Sequence, residues 1–355
     1  IAPDRCASTH AGTMKGVQDA LRLDCDDSFV VGCNFYGLSG AGNDGSNATR
    51  VYNGRRILIT NNRFNCNGAA GFLGDNTVTV ADDYEFSRNY HFRDTGWDTG
   101  HGANKGSIET KTGLRVLIDK NVFYRQYNTG GFGAVTLKSE GTGGPKTTRH
   151  VTVRGNKVDT AAMAFLVYVA GSSDDADVGP NSDFLLQDNL AFGITFRAMQ
   201  LNVYDANSSA PFRRVQFRNN TIIGSPFVFG SDAGATPGEH FTAIDNIFSG
   251  NYSLNGGANG AQGFNYSWGS NYSVRYNLWT GQSSSNFDSD TTPSPSGTLS
   301  NNSFPANDAA VGYTNTGAGD YSLGVGSSYL TSSSTGGEPG YDSTTYDSIW
   351  TEVAQ

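Results

Sequence analysis

The stretch that decides the fold is Leu114-Arg115-Val116-Leu117-Ile118-Asp119-Lys120-Asn121-Val122-Phe123. Apolar residues alternate, a polar corner closes on an asparagine, and an aromatic residue follows two positions later. The pattern returns as ILITNNRF ending at Phe64, VTVRGNKV at Val158, FLLQDNLAF at Phe192, VQFRNNTII at Ile223, FTAIDNIF at Phe248, YSVRYNLW at Trp279 and TLSNNSF at Phe304. Weaker copies are FVVGCNFY, ending at Tyr36, and YEFSRNYHF, ending at Phe92. The aligned asparagines are Asn34, Asn62, Asn89, Asn121, Asn156, Asn189, Asn220, Asn246, Asn277 and Asn302, at intervals of 25 to 35 residues. That period is one coil of a stacked solenoid, so 355 residues read as one elongated unit rather than two domains.

Upstream of each corner lies a second alternating run: ALRLD (20–24), NTVTV (76–80), SIETK (107–111), AVTLK (134–138), AFLVYV (164–169), MQLNVY (199–204) and PFVFG (226–230). Period-two alternation turns Leu21/Leu23, Val78/Val80, Ile108/Thr110, Val135/Leu137, Phe165/Val167/Val169, Met199/Leu201/Val203 and Phe227/Phe229 inward. The corner asparagines should stack as an amide ladder, since Asn tolerates a left-handed backbone and bonds to the next coil. The expected fold is all-β: a right-handed parallel β-helix of about ten coils over residues 20–304. Residues 1–19 form an N-terminal cap, with a short helix from Thr13 to Leu21, and residues 305–355 form a C-terminal cap or tail of turns and short strands.

The formal net charge is −9, with only 16% charged residues. It is spread unevenly. Arg88–Lys157 holds twelve Lys/Arg against five Asp/Glu, a basic island of +7 on an otherwise acidic chain, which would draw an anionic partner. All four cysteines, Cys6, Cys25, Cys33 and Cys66, fall early and include no CxxC pair; one or two disulfides and an oxidising compartment are expected. No run approaches the ~18 apolar residues of a membrane span. Without an initiating Met or a signal-peptide pattern, the chain reads as mature, trimmed or partial, with secretion or a particle surface as its location. Glycine-rich strings lack phosphate-loop or dinucleotide spacing, so neither nucleotide nor nucleic-acid binding has support.

The recurrent corner motif and the closing Gly-Asp-Tyr-Ser-Leu…Gly-Ser-Ser-Tyr segment resemble those of secreted bacterial and phage right-handed parallel β-helix proteins. That group holds pectate and alginate lyases, polygalacturonases, uronan epimerases and phage tailspikes. The resemblance implies a polysaccharide partner and leaves the activity open.

Three constellations carry chemistry. On the outward rows of adjacent coils, ~4.8 Å apart, Lys111 and Lys138 should share a strip with Glu109 and Tyr168. Gly106-Ser-Ile-Glu-Thr-Lys-Thr-Gly is similar to the Glu-then-Lys strand of alginate-lyase-type β-helices, which implies Ca2+ on Glu109 and proton abstraction by Lys. Elimination from a uronate needs its carboxylate neutralised, with Arg115 or Arg125 in that role, and a base, Lys111 or Lys138. A plain exposed ion pair is the alternative for these groups. Asp82-Asp83 followed by Gly100-His101-Gly102 is similar to a polygalacturonase pattern, in which paired carboxylates hydrolyse the bond. The acidic loop Asp174-Asp175-Ala176-Asp177 offers oxygen ligands for calcium or is a solvated turn. Tyr168, Asn202, Tyr204, Trp97, Tyr266 and Trp268 are candidate sugar contacts.

The leading expectation is β-elimination on an acidic polysaccharide. The alternatives are a non-catalytic glycan-binding or structural β-helix (tailspike, adhesin or filament subunit) and a polygalacturonase-like hydrolase. An exposed apolar stripe through Leu166 and Val228 would serve a homo-oligomer.

Overall fold

The computed structural model describes residues 7–8, 19–38, 47–74, 81–94, 106–126, 133–139, 147–170, 182–204, 213–224, 227–231, 238–249, 252–254, 264, 268–282 and 297–355. They form an all-β parallel solenoid. Its first wall is a ten-stranded sheet running in strict chain order from Phe29–Val31 through Gly54–Thr60, Ala81–Ser87, Gly113–Asp119 and Thr148–Arg154 to Thr298–Ser300. Each strand pairs in parallel with its counterpart one coil away; Val116 sits between Tyr84 and Val151. The second wall holds the strands that follow the corner, such as Arg63–Cys66, Tyr90–Phe92 and Val122–Gln126. The third wall holds the upstream runs Asp19–Leu23, Asn47–Val51, Gly71–Leu73, Ile108–Thr110 and Val135–Ser139. Lys157–Ala170 and Leu190–Tyr204 run through both walls, which joins them into one sheet. About ten coils were expected, a number that counts the strands of the first wall. Complete three-walled turns are fewer, because among the described residues the coils opening at Tyr272 and Thr298 have no third-wall strand.

The interior is built from the inward residues of all three walls. Ile59, Phe86, Ile118, Val153, Leu186 and Phe217 stack from the first wall, and Ile108, Val135, Leu137 and Phe165 from the third. Phe35 stacks on Phe64 at 5.1 Å and Phe248 packs on Trp279 at 4.6 Å from the second. Leu21 and Leu23 pack partly buried at the first coil's edge. Val78 and Val80 lie outside the described residues.

The ladder forms, with two corrections. Asn121 shows the pattern: its Nδ2 donates to Phe86 O at 2.9 Å and to Asn156 Oδ1 at 2.9 Å, and its Oδ1 accepts from Asn89 N at 2.9 Å. The same bonds run from Asn62 through Asn302. Asn34 is not a rung. Strand register sets it against Arg63, and Cys33 takes the rung position, its N–H donating to Asn62 Oδ1 at 2.8 Å. Nor does the rung carry the left-handed backbone. The residue before it does: Asn61, Arg88, Lys120, Gly155, Asp188, Asn219, Asp245, Tyr276 and Asn301.

Register also moves three aromatic positions. The inward residues are Phe35 rather than Tyr36, His91 rather than Phe92, and Ala191 rather than Phe192. Tyr36 is exposed, and Phe192 packs outside on Tyr321 at 5.1 Å. The expected N-terminal helix is overtaken at its end by the strand Asp19–Leu23. Cys25 and Cys66 are free thiols, so neither joins an expected disulfide, and Cys6 lies outside the described residues. Among the described residues no helix is long and apolar enough to cross a membrane.

Residues 305–355 hold the expected turns and short strands, with Tyr313–Asn315 paired antiparallel to Asp320–Leu323. They fold back along the outside of the second wall as a strap containing two helices, α1 (Asp308–Val311) and α2 (Ser343–Ala354). Asn307 caps α1 and Asp342 caps α2, each accepting from a first-turn N–H. The strap covers the outward row just after the rung, where Val122, Leu190, Ile247 and Leu278 are apolar for that reason. It runs toward the N-terminal coils: Val311 and Leu323 pack on Leu278 and Ile247, Gly340 N donates to Asp245 O, Tyr341 N to Thr221 Oγ1, and Arg63 reaches Ala354 O.

Candidate functional site

The expected catalytic strip lies on the third wall, and its register is as the alternation demands. Ile108 and Val135 face inward, so Glu109, Thr136 and Lys138 face outward, with Glu109 opposite Thr136 and Lys138 opposite Tyr168. Yet the outward face is closed to solvent here. Lys138 Nζ lies 2.8 Å from Glu109 Oε1, with side chains 4% and 2% exposed. Two buried charges hold one another, and a buried ion of either sign alone is expensive. Among the described residues the second carboxylate oxygen of Glu109 has no hydrogen-bond partner. Lys111 continues the row half-buried, its Nζ 5.9 Å from the Phe72 ring centroid. On neighbouring coils Phe72 lies under Arg50, whose guanidinium carbon is 4.7 Å from the ring and 4.2 Å from that of Tyr52.

The two expected neutralisers lie elsewhere. Arg115 is on the first wall, gripping Asp82 and Asp83 from the next coil. Arg125 is on the second wall, at a left-handed bulge position beside Thr160. Asp82-Asp83 are therefore engaged by Arg115, and their proposed partner His101 lies outside the described residues. So do Asp174, Asp175 and Asp177, and Trp97 and Tyr266. Tyr168, Asn202 and Tyr204 are on described strands, in the register Lys138–Tyr168–Asn202, but their side chains are not described, nor are those of Leu166 and Val228. Trp268 is core rather than a sugar platform: it is buried, 5.0 Å from the Phe241 ring. Among the described residues no three His, Cys, Asp or Glu side chains stand together as a metal site.

The basic island is also quieter than its count. Arg115 pairs with Asp82 and Asp83, Arg154 and Lys120 with Asp119, and Lys138 with Glu109. Part of the rest of the first wall is an alternating surface ladder. A second left-handed position carries Asp27, Arg56, Asp83, Arg115, His150, Asp183, Arg214 and His240 on successive coils. Arg56 grips Asp27, Arg214 grips Asp183, and His150 Nδ1 lies 3.4 Å from Asp183. Hydrogen bonds from Arg56, Arg115 and Arg214 hold the carboxyls of Asp27, Asp83 and Asp183 below the usual range.

An open concavity lies between the second wall and the strap. A cleft of about 590 Å³ separates the second wall from α2 and the loop before the strand Asp320–Leu323. Tyr90, Tyr124, Lys157 and Asp159 line it from the solenoid; Asp320, Asp347 and Trp350 line it from the strap. Alternation on the second wall places them: residues one and three positions after the rung face outward, and the strap leaves this corner uncovered. Tyr124 is 37% exposed, Tyr90 stacks on Phe92 at 5.2 Å, and Lys157 Nζ lies 5.4 Å from the Phe192 ring. Burial raises the Asp347 carboxyl, and Asp320 adds to the rise. Sequence reasoning missed this site because its halves are far apart in the chain. The one signal was a run of outward Tyr and Asp beside apolar outward residues that needed a cover.

Against known proteins, the chain matches no family model, no curated protein and no solved structure.

Proposed function

We propose that the chain is a carbohydrate-active β-helix that holds a glycan in the cleft between its strap and its second wall. The observation that carries this reading is the lining: Tyr90 and Tyr124 supply ring surface for sugar C–H faces, and Asp159, Asp320 and Asp347 supply acceptors for hydroxyls. Rings with flanking acceptors match the two faces of a pyranose, apolar above and below and hydroxylated at its rim. Extracellular or particle-surface action fits such a partner. The test is affinity electrophoresis of the full chain through gels cast with a panel of soluble polysaccharides, neutral and charged. Retardation by at least one polysaccharide, lost in Tyr124→Ala with an unchanged melting temperature, is expected. Uniform migration in every gel would end the reading.

A second reading, β-elimination on an acidic polysaccharide, is favoured by the register of Lys111 with Lys138 on adjacent coils beside Arg50. Lys111 is then the base, because it is only half-buried whereas Lys138 is enclosed with Glu109. Calcium at Glu109 would use the oxygen that Lys138 does not take. Incubation with a polyuronate panel, with and without calcium, should raise the absorbance of the unsaturated product. No product on any substrate, with Lys111→Ala leaving glycan binding intact, removes this reading.

A further inference from the structure

The strap meets the corner residues of successive coils in order, and at one of them it sets carboxylate against carboxylate. Ser334 donates its N–H and its hydroxyl to the Asp245 carboxylate at 2.6 and 2.5 Å, and Gly340 N donates to Asp245 O. One coil nearer the N-terminus, Tyr341 N donates to Thr221 Oγ1 at 3.2 Å. Two coils beyond that, the Tyr346 ring lies on Gly155, and Trp350 donates to Gly155 O. The coil between them carries Asp188 at the corner position that Gly155 and Asp245 occupy in theirs. The strap residues crossing that coil are therefore those between Tyr341 and Tyr346, and they include Asp342, the cap of α2.

Asp245 and Asp188 share one file and meet the strap in opposite ways. Asp245 receives two donors from it, whereas Asp188 receives a second acid. Asp342 is committed to its charged form. Burial opposes that charge, but hydrogen bonds from Thr344 Oγ1 at 2.6 Å, Thr345 Oγ1 at 2.5 Å and Thr345 N at 3.2 Å outweigh it and hold the carboxyl below its usual range. A proton at this contact resides on Asp188. The other groups that face Asp188 offset only part of a second charge. On the solenoid these are Gln187 and Arg154, whose Nε is taken by Asp119 at 3.0 Å; on α2 it is Tyr346.

We infer that α2 is a clasp closed by acid: it docks on the solenoid while Asp188 carries a proton, and it loosens when Asp188 and Asp342 are both charged. Contacts of Tyr341, Tyr346 and Trp350 with Val122 and Leu190 drive the docking; the acid pair opposes it. The anchor at residues 334–340 meets Asp245 with donors, so the strap opens from its C-terminal end. Because α2 forms one side of the cleft, loosening it opens the cleft. Burial and Asp342 raise Asp188 to about 6 from 3.8, so the clasp is tightest below about pH 4 and weakens as pH rises through about 6.

Hydrogen exchange of the full chain, read by mass spectrometry from pH 5 to 8 and corrected for intrinsic rates, tests this. The opening equilibrium of residues 343–354 should rise up to roughly tenfold between pH 5 and 7, the linkage of a carboxyl moved from 3.8 to about 6. The strand Thr148–Arg154 should stay protected throughout. In Asp188→Asn the rise should vanish. In Asp342→Asn it should shrink, since Asn still caps the helix without the charge. Equal protection of α2 at pH 5 and 7 would overturn the inference. So would a rise left unchanged in Asp188→Asn, which would place the titration on Asp347 or Glu338 of the strap instead. Exchange of α2 and the coil strand at one common rate at every pH also overturns it, because α2 would then open only with the whole fold.

Discussion

The indole Nε1 of Trp350 donates to the carbonyl oxygen of Gly155 at 2.6 Å, across 195 residues of chain. This bond ties the strap to the solenoid at the corner before a ladder rung. Gly155 has φ +62, a conformation that Arg88 and Lys120 adopt without glycine at the same corner of neighbouring coils. Conformational freedom alone therefore does not demand a glycine here. Space does: a Cβ at Gly155 would stand 2.2 Å from the Tyr346 ring.

Gly155→Ala should accordingly lift α2 while leaving the coils intact. The expected loss is about 1–3 kcal/mol, the usual cost of overpacking, measured by chemical unfolding. Limited proteolysis should cut first within residues 343–354. Adding Tyr346→Ala should make the alanine harmless to docking beyond the loss of the ring itself. Equal damage in both backgrounds would mean that the backbone, not the ring, requires the glycine.

The ladder makes a second prediction, on rungs that differ in their neighbours. Asn121 bonds to rungs on both sides and to Phe86 O, while among the described residues Asn302 has a rung on one side only. Asn121→Ala should cost about 2–3 kcal/mol through orphaned buried donors, and Asn302→Ala less. Conversely, Cys33→Asn should add a rung, its amide donating to Asn62 Oδ1, and stabilise by about 1 kcal/mol. Thermal unfolding of the three variants ranks them; an unstable Cys33→Asn would show that the first coil cannot seat the amide.

Much of this frame was readable from the sequence because a β-strand repeats every two residues and a coil repeats near thirty. The stacked coils, the inward Ile108, Val135 and Leu137, and the rungs from Asn62 on follow from periodicity alone. The errors came where periodicity allows a slip of one. In FVVGCNFY the neighbouring Cys33 and Asn34 both satisfy the local pattern, and only pairing with Asn62 and Arg63 separates them. The strap was illegible for another reason. A segment that packs on a repeat, rather than repeating, betrays itself only through its partner surface, here the outward apolar Val122, Leu190, Ile247 and Leu278. Glu109 and Lys138 were placed in register correctly, but register says nothing about burial of the outward face.

The thiols give a third expectation. Cys66 is enclosed, with burial pushing its thiol up to about 12, and Cys33 is buried, whereas Cys25 is exposed. Alkylation of the folded protein at neutral pH, followed by peptide mass analysis, should label Cys25 and spare Cys66. Denaturant should release Cys66. Protection of Cys25 in the folded state would indicate that it is engaged in a bond.

Two buried groups then set the acid limb of stability, with opposite signs. Burial depresses His91 to about 3, because it occupies the aromatic position between Phe64 and Phe123 with its Nε2 near Cys66 O at 3.1 Å. The unfolded chain binds a proton near 6.5 that the folded chain refuses, so His91 makes stability fall as pH drops from about 6.5 toward 3. Asp188 does the reverse. Burial, reinforced by Asp342 of the strap, raises it to about 6 from 3.8. The folded state then holds the proton more tightly, so this group makes stability fall as pH rises from about 4 to 6. The two slopes oppose one another over the same window. His91→Phe should remove the first and expose a decline between pH 4 and 6 in unfolding midpoints. Asp188→Asn should remove the second, adding about 1 kcal/mol at pH 7 once its partial exposure is discounted. If the pH profile of His91→Phe matches that of the unmodified protein, the ring at position 91 is not enclosed, and the register that places it in the core is wrong.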